Sequence, residues 1–309
     1  MRKFVLKTLY FSIPILGLVL ALEIALRNIP NNYRHKNEYL KQNAESIETL
    51  ILGSSHAFYG LDPSYFSSNS FNASHISQYL NYDLAILKKY EERLVHLKTL
   101  VLPISYFSFY GSLEESAEAW RVKNYVLYYG LTSARSYTDY SEVLSNSNST
   151  NLKRIYAYYI QDEAALSCNN LGWGTDFSSD KAKDLIKSGR LSAQRHSKAI
   201  HDEKYENIFQ NNKETLSSIV SWCEEREVQL LLFTPPAYAS YRTHLNPEQL
   251  NPSLQLAEQI ASMNEHCSYM NLLEDSSFVA ADFYDADHLS EVGAKKLSML
   301  LNNKINDWN

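Results

Sequence analysis

Thr49-Leu50-Ile51-Leu52-Gly53-Ser54-Ser55-His56 reads as a short buried strand that leaves its sheet through a glycine and presents two hydroxyls and an imidazole at its end. The apolar run 49–52 is too short for a helix, and polar residues bound it, which suits a strand covered on both faces. Gly53 lets the chain turn tightly as it leaves the sheet. Four further runs have the same character: Ser70–Asn72, 99–104, Gln229–Thr234 and 268–272. Helix-like stretches lie between them. In 82–97, Leu84, Leu87, Tyr90 and Leu94 recur at helical spacing, and 213–226 is a second such stretch. Near the end, Ser290 can cap a helix whose Leu297, Leu301 and Ile305 share one face. This alternation predicts an α/β fold: a doubly wound, three-layer sandwich around a mainly parallel five-stranded sheet.

Upstream of the first strand, Arg2, Lys3 and Lys7 precede a segment with no charge from residue 8 to residue 22. Residues 4–26 make a span of 23 residues, long enough to cross a hydrocarbon layer of ~30 Å. Glu23 sits near the far end, where a charge costs less than at the centre. Basic residues before the span place the N-terminus in the cytoplasm and the rest outside it. The apolar span is long for a signal peptide and no A-x-A site precedes Asn28, so residues 1–27 are expected to be an uncleaved single-pass signal anchor in the cytoplasmic membrane. Residues 28–46, rich in Asn, Lys, Arg and Glu, read as a polar linker, and 47–309 as one extracytoplasmic domain. Within it, residues 111–210 fit the β/α rhythm poorly. They are rich in Tyr, Ser and Asn and predict a helical insertion overhanging the edge where open α/β sheets bind ligands.

Composition narrows the function classes. A net charge of −6, with no Lys/Arg block beyond the N-terminus, argues against a nucleic-acid binder. Cys168, Cys223 and Cys267 form no CxxC or Cys/His pattern; Cys223 and Cys267 read as buried thiols. The 23 tyrosines are read first as packing material, with a sugar-stacking surface as the functional alternative.

A second informative stretch is Asp282-Phe283-Tyr284-Asp285-Ala286-Asp287-His288-Leu289. A serine nucleophile needs a general base, and a histidine base needs an anion to fix its tautomer. Asp285 precedes His288 by three positions, so one local turn can bring its carboxylate to the imidazole. The stretch follows the fifth strand, so in a parallel sheet it shares an edge with Ser55. His56, adjacent to Ser55, diverges from it and is a poor base for it, but could contact substrate. A metal site from His56, His75, Asp287 and His288 has no recognised ligand spacing; no metal or cofactor is expected.

Gly53-Ser54-Ser55 together with Asp285-Ala286-Asp287-His288 resembles the SGNH (GDSL-like) hydrolase superfamily, which carries a Gly-Asp-Ser block after its first strand and Asp-x-x-His before its last helix. The Gly-Ser-Ser variant behind a membrane anchor looks like the cell-surface branch of DltD-like D-alanyl-transfer and polysaccharide O-acetylation proteins. Residues 71–90 and 102–108 look like members of bacterial surface-polysaccharide clusters. The resemblance covers roughly 47–110 and 229–306. It implies that Ser55, His288 and Asp285 are the catalytic set. It also implies an oxyanion hole from a second-block glycine N–H and a third-block Asn. Here the second block reads Asn72-Ala73-Ser74-His75-Ile76-Ser77-Gln78, without glycine, leaving Ser77 and Asn72 as candidates. After the third strand, Ser105 and Tyr106 stand nearest. The implied function is a serine-dependent esterase or O-acyltransferase acting on acyl, foremost acetyl, esters of an exported polysaccharide. Its partners would be the acylated glycan or acyl donor, the bilayer and polysaccharide-biosynthesis proteins. The rival readings are a non-catalytic glycan-binding or assembly protein on a degenerate scaffold, and a lipid-facing esterase with the Tyr-rich insertion as a lid.

Overall fold

The computed structural model describes residues 1–132 and 134–308. The elements run α1 (Arg2–Asn28), α2 (Asn32–Asn43), β1 (Thr49–Ile51), α3 (Ser55–Gly60), β2 (Ser70–Asn72), α4 (Leu80–Tyr90) and β3 (Thr99–Pro103). Next come α5 (Val122–Asn124), α6 (Glu142–Ser145), α7 (Asn148–Tyr159), α8 (Leu185–His196), α9 (Glu203–Glu224) and β4 (Gln229–Thr234). The chain closes with α10 (Ala239–Arg242), α11 (Pro247–Met263), β5 (Cys267–Asn271), the pair β6 (Phe283–Asp285) and β7 (His288–Leu289), and α12 (Glu291–Asn306).

The first five strands form one sheet in the order β2-β1-β3-β4-β5, and every pairing is parallel. Order reverses on either side of β1, a doubly wound topology whose ligand crevice lies at the strands' carboxyl ends. Side chains alternate across the sheet. Ile51, Val101, Leu231 and Phe233 pack with Leu297 and Leu301 of α12 into one apolar core. Leu50, Leu100 and Leu230 take the opposite register and are fully buried too. With α4 packed against α9 and α9 against β4, the sheet has helical layers on both faces. Ser290 accepts from the Gly293 N–H and starts α12 where the sequence places it. No disulfide joins the cysteines among the described residues, and Cys223 and Cys267 are buried.

Two compact units emerge: Met1–Asn37 with Ala117–Ser167, and Glu38–Ser116 with Cys168–Asn309. The second contains the sheet. In the first, Leu26, Val122, Tyr125 and Tyr129 are buried, and Tyr33 meets Tyr125 edge-on with ring centres 5.1 Å apart. Lys123 and Arg154 both bind the buried Glu142 carboxylate, which also accepts from the Tyr128 hydroxyl. Burial opposes ionisation of Glu142, but these cations hold its carboxyl down at about 2.

Residues 28–46, expected as a linker, instead hold α2 and a short 3-10 turn, Ala44–Ser46. Tyr33, Leu40 and Ala44 are buried there at spacings that put them near one helical stripe; too few apolar residues mark that stripe to stand out among its charges. The region 111–210 is largely helical, but residues 117–167 belong to the first unit and residues from 168 onward to the second.

Candidate active site

The strand β1 ends on Ile51, and two residues on Gly53 takes a φ of 110°, open essentially only to glycine. A Cβ there would lie 2.4 Å from the Pro103 ring. The turn is anchored by the buried Asp83, whose carboxylate accepts from the Gly53 N–H at 2.8 Å and from the Gln78 amide at 2.6 Å. Burial raises the Asp83 carboxyl to about 7, against the pull of those two donors. Asp83 thus ties the turn before Ser55 to the loop after β2, and the His75 N–H reinforces it by donating to the Gly53 carbonyl at 3.1 Å. Gly53→Ala should lower the thermal midpoint, a loss of about 1–3 kcal/mol, because both backbone strain and the Pro103 contact oppose it. Calorimetric unfolding checks this; an unchanged midpoint would show that the turn is not constrained as described.

Ser55 opens α3, so its own N–H has no acceptor within that helix. Its Oγ lies 2.9 Å from His288 Nε2, and His288 Nδ1 lies 2.9 Å from Asp285 Oδ1. The Asp285 carboxylate also accepts from the backbone N–H groups of Asp287, at 3.3 Å, and His288, at 3.0 Å, so the turn itself aims it. That turn joins β6 to β7, an antiparallel pair in which Asp285 faces His288. The structure therefore brings Ser55, His288 and Asp285 into one hydrogen-bonded row. Burial disfavours charge on all of them. Even so, His288 and the turn donors hold the Asp285 carboxyl below its ordinary range. Burial opposes protonation of His288 too, yet Asp287 and Asp285 raise its pKa above the ordinary imidazole value.

The other candidates are placed differently. Ser77 adopts the left-handed conformation, φ 58°, and stays partly exposed beside Gln78, whose side chain donates to Asp83. Asn72 is fully buried, and its amide donates to the Ala57 and Leu61 carbonyls while its oxygen accepts from the Ser74 N–H. It braces α3 and has no donor left for an oxyanion. The Ser105 hydroxyl is engaged by His56 Nδ1 at 2.7 Å. The buried Tyr106 hydroxyl pairs with Ser197 and accepts from the Asn246 N–H, so it too is structural. His56 is buried rather than substrate-facing, its ring centre 5.0 Å from that of His288. Burial and the neighbouring His288 push its pKa down to about 3, keeping it neutral. Asp282 receives the Val279 N–H and Lys296 and points away from the row.

Several neighbours carry no motif. Asp287 is fully buried, and its Oδ2 lies 3.6 Å from His288 Nδ1, 3.7 Å from Arg195, 3.8 Å from His196 Nδ1 and 4.0 Å from His56 Nε2. Burial raises its carboxyl, against the attraction of His288. His56, Asp287 and His288 bring three metal-ligand atoms within 4.8 Å of one another, although His288 Nδ1 is already held by Asp285. On the other flank Phe177 stacks between Tyr59, at 3.6 Å, and Tyr284, at 3.9 Å, and meets His288 edge-on at 5.4 Å. Lys183 lies over Tyr284 and 3.8 Å from the Asp285 carboxylate. Phe177, Lys183, Arg195 and His196 all come from the motif-poor stretch after residue 168, where only their residue types could have singled them out.

No family model and no curated protein matches the chain. Among solved structures it is similar to a Streptococcus pneumonia protein provisionally called a platelet activating factor, at 13% identity over 96% of this chain and 99% of that one, TM-score 0.43. It is also similar to a Bacteroides fragilis protein provisionally called an acylhydrolase, at 12% identity over 87% of this chain and 95% of that one, TM-score 0.41.

Proposed function

We propose that the chain is a serine-dependent esterase or O-acyltransferase acting on acyl, foremost acetyl, esters of an exported polysaccharide. The observation that carries this reading is the row Ser55–His288–Asp285, with both of its contacts at 2.9 Å. His288 Nε2 takes the Ser55 proton as Oγ bonds to the acyl carbon and the carbonyl electrons move onto oxygen. Collapse breaks the bond to the sugar oxygen, which leaves with the proton from His288, and the acyl group stays on Ser55. Water, or a second sugar hydroxyl, then gives its proton to His288 as it bonds to the acyl carbon. Ser55 departs as leaving group and recovers that proton. The N–H of Ser55 and the loop at Ser77 are the backbone groups suited to hold the oxyanion.

The anchor reading supports an exported substrate. The helix α1 contains a 19-residue apolar stretch, Tyr10–Asn28, with almost none of it buried. Its Glu23 carboxylate accepts from the N–H groups of Glu142 and Val143 and from the Ser141 hydroxyl, capping α6. Removal of α1 as a leader would strip that cap, which favours retention of the anchor.

The test is labelling of the full-length protein with a fluorophosphonate probe. Labelling lost in Ser55→Ala is the expected result, and labelling elsewhere would end the serine-nucleophile reading. One observation favours a non-catalytic glycan-binding role instead: Asn72 donates both amide hydrogens to the Ala57 and Leu61 carbonyls, and the Tyr106 hydroxyl is held by Ser197 and the Asn246 N–H, so neither serves as an oxyanion donor. An oxyanion donor is typically worth ~100–1000-fold in rate. An unlabelled wild-type protein that retains glycan binding would select that role.

A further inference from the structure

The first unit carries a surface that the ester chemistry does not use. Leu152 and Tyr156 of α7 and Ile160, the residue that caps it, are exposed at spacings of four residues, so they form one apolar stripe along that helix face. Tyr156 is 54% and Ile160 68% exposed. Just before it, Tyr137 and Tyr140 of a 3-10 turn and Leu144 of α6 are exposed, Tyr137 at 79%. Scattered exposed apolar residues need no explanation, but these six within 137–160 do. The helix α7 contains Lys153 and Arg154 and no acidic residue.

The height of these residues along α1 is fixed by hydrogen bonds. Glu23 of α1 caps α6, Arg27 donates to the Tyr140 carbonyl at 2.7 Å, and the Tyr159 hydroxyl donates to the Ala25 carbonyl at 2.9 Å. Residues 4–26 extend ~34 Å at ~1.5 Å per residue, against ~30 Å of hydrocarbon, so Glu23–Leu26 fall at the outer boundary. Tyrosines with basic neighbours are the side chains that settle at that level.

We infer that Tyr137, Tyr140 and Leu144, together with Leu152, Tyr156 and Ile160, form an interfacial collar resting in the headgroup–acyl boundary of the bilayer that α1 crosses. The inference rests on the anchor reading of α1 and is independent of the ester chemistry. The collar fixes the orientation of the first unit against the membrane, which one transmembrane helix alone leaves free to rotate and tilt.

The experiment uses full-length protein in phosphatidylcholine/phosphatidylglycerol vesicles. Single nitroxides are placed at Leu144→Cys, Tyr156→Cys and Ile160→Cys in a Cys168→Ser background, and collision with oxygen is compared with collision with a water-soluble nickel chelate. Leu16→Cys reports the span, and Met263→Cys is a comparison site of similar exposure. The expected oxygen-to-nickel ratio at the three collar sites is at least about threefold above Met263 and below that at Leu16, since the interface lies between water and hydrocarbon. Collar sites matching Met263 while Leu16 reports depth would overturn the collar and leave the anchor standing. Leu16 matching Met263 would overturn the anchor and the collar with it. Spin–spin broadening at the collar sites would show a second copy of the chain there, which also overturns a lipid occupant.

Discussion

Ser55→Ala and His288→Ala should each slow hydrolysis of an activated acetyl ester by about 10⁴-fold or more, and the double variant should be little worse than either. The reason is the shared proton. With Oγ 2.9 Å from Nε2, nucleophile and base act in one step, so removing either removes the same contribution. Independent contributions would instead multiply. Both side chains lie at a turn at the end of a strand, and replacing them removes hydrogen bonds without opening a cavity in the apolar core, so unfolding midpoints should stay close to the wild type. The measurement is initial rate with p-nitrophenyl acetate for the wild type and three variants, with thermal unfolding alongside. Wild-type turnover in Ser55→Ala would end the serine mechanism. Multiplicative losses would show that His288 serves some step other than activating Ser55.

The parts of this site that could be read in advance are those set by local chain chemistry. Short runs bounded by polar turns marked all five strands of the sheet, two of them with their full bounds, because a parallel strand covered on both faces is mostly apolar, with polar exceptions such as Ser70 and Asn72 in β2. Gly53 marked its own turn for the same kind of reason: few other residues could follow that backbone. Asp285 and His288 were legible because three positions suffice for the turn between them. What the sequence did not disclose is what only the folded topology assembles. His196 and Arg195 end α8, Phe177 and Lys183 lie in loops before it, and no spacing relates them to Ser55 or His288. Asp287 is legible in the sequence only as part of a metal set without recognised spacing, and nothing there shows that the β6–β7 turn sends its carboxylate inward to full burial. Asn72 failed as an oxyanion candidate for a related reason. Residue type gave it the right chemistry, but two backbone carbonyls had already claimed its donors.

Two carboxylates flank one imidazole, and Asp285→Asn and Asp287→Asn should separate their roles. Asp285 makes the 2.9 Å contact to Nδ1, so it fixes the tautomer that leaves Nε2 free to accept the Ser55 proton. An amide there can donate to Nδ1 and so select the wrong tautomer. Asp285→Asn should therefore cost on the order of 10³–10⁴-fold in rate at every pH. Asp287 stands 3.6 Å away with poor hydrogen-bond geometry, so its effect on His288 is mainly that of charge. Burial opposes protonation of His288, and Asp287 is the first of the groups that counter it. Activity needs neutral His288 and so rises with pH through the imidazole pKa, which in the wild type is set above 6.5. Removing the Asp287 charge lowers that pKa. The rising limb of the pH–rate profile should then move to lower pH in Asp287→Asn, with most of the plateau rate retained above pH 8. The KM should change little, because Asp287 is fully buried and does not reach substrate. The expected signature is a displaced limb for one variant and a lowered plateau for the other. If Asp287→Asn loses more plateau rate than Asp285→Asn, Asp287 is the orienting carboxylate and the roles are reversed. If the limb stays in place or moves to higher pH, the charge of Asp287 does not set the His288 pKa, and the role assigned to it is wrong.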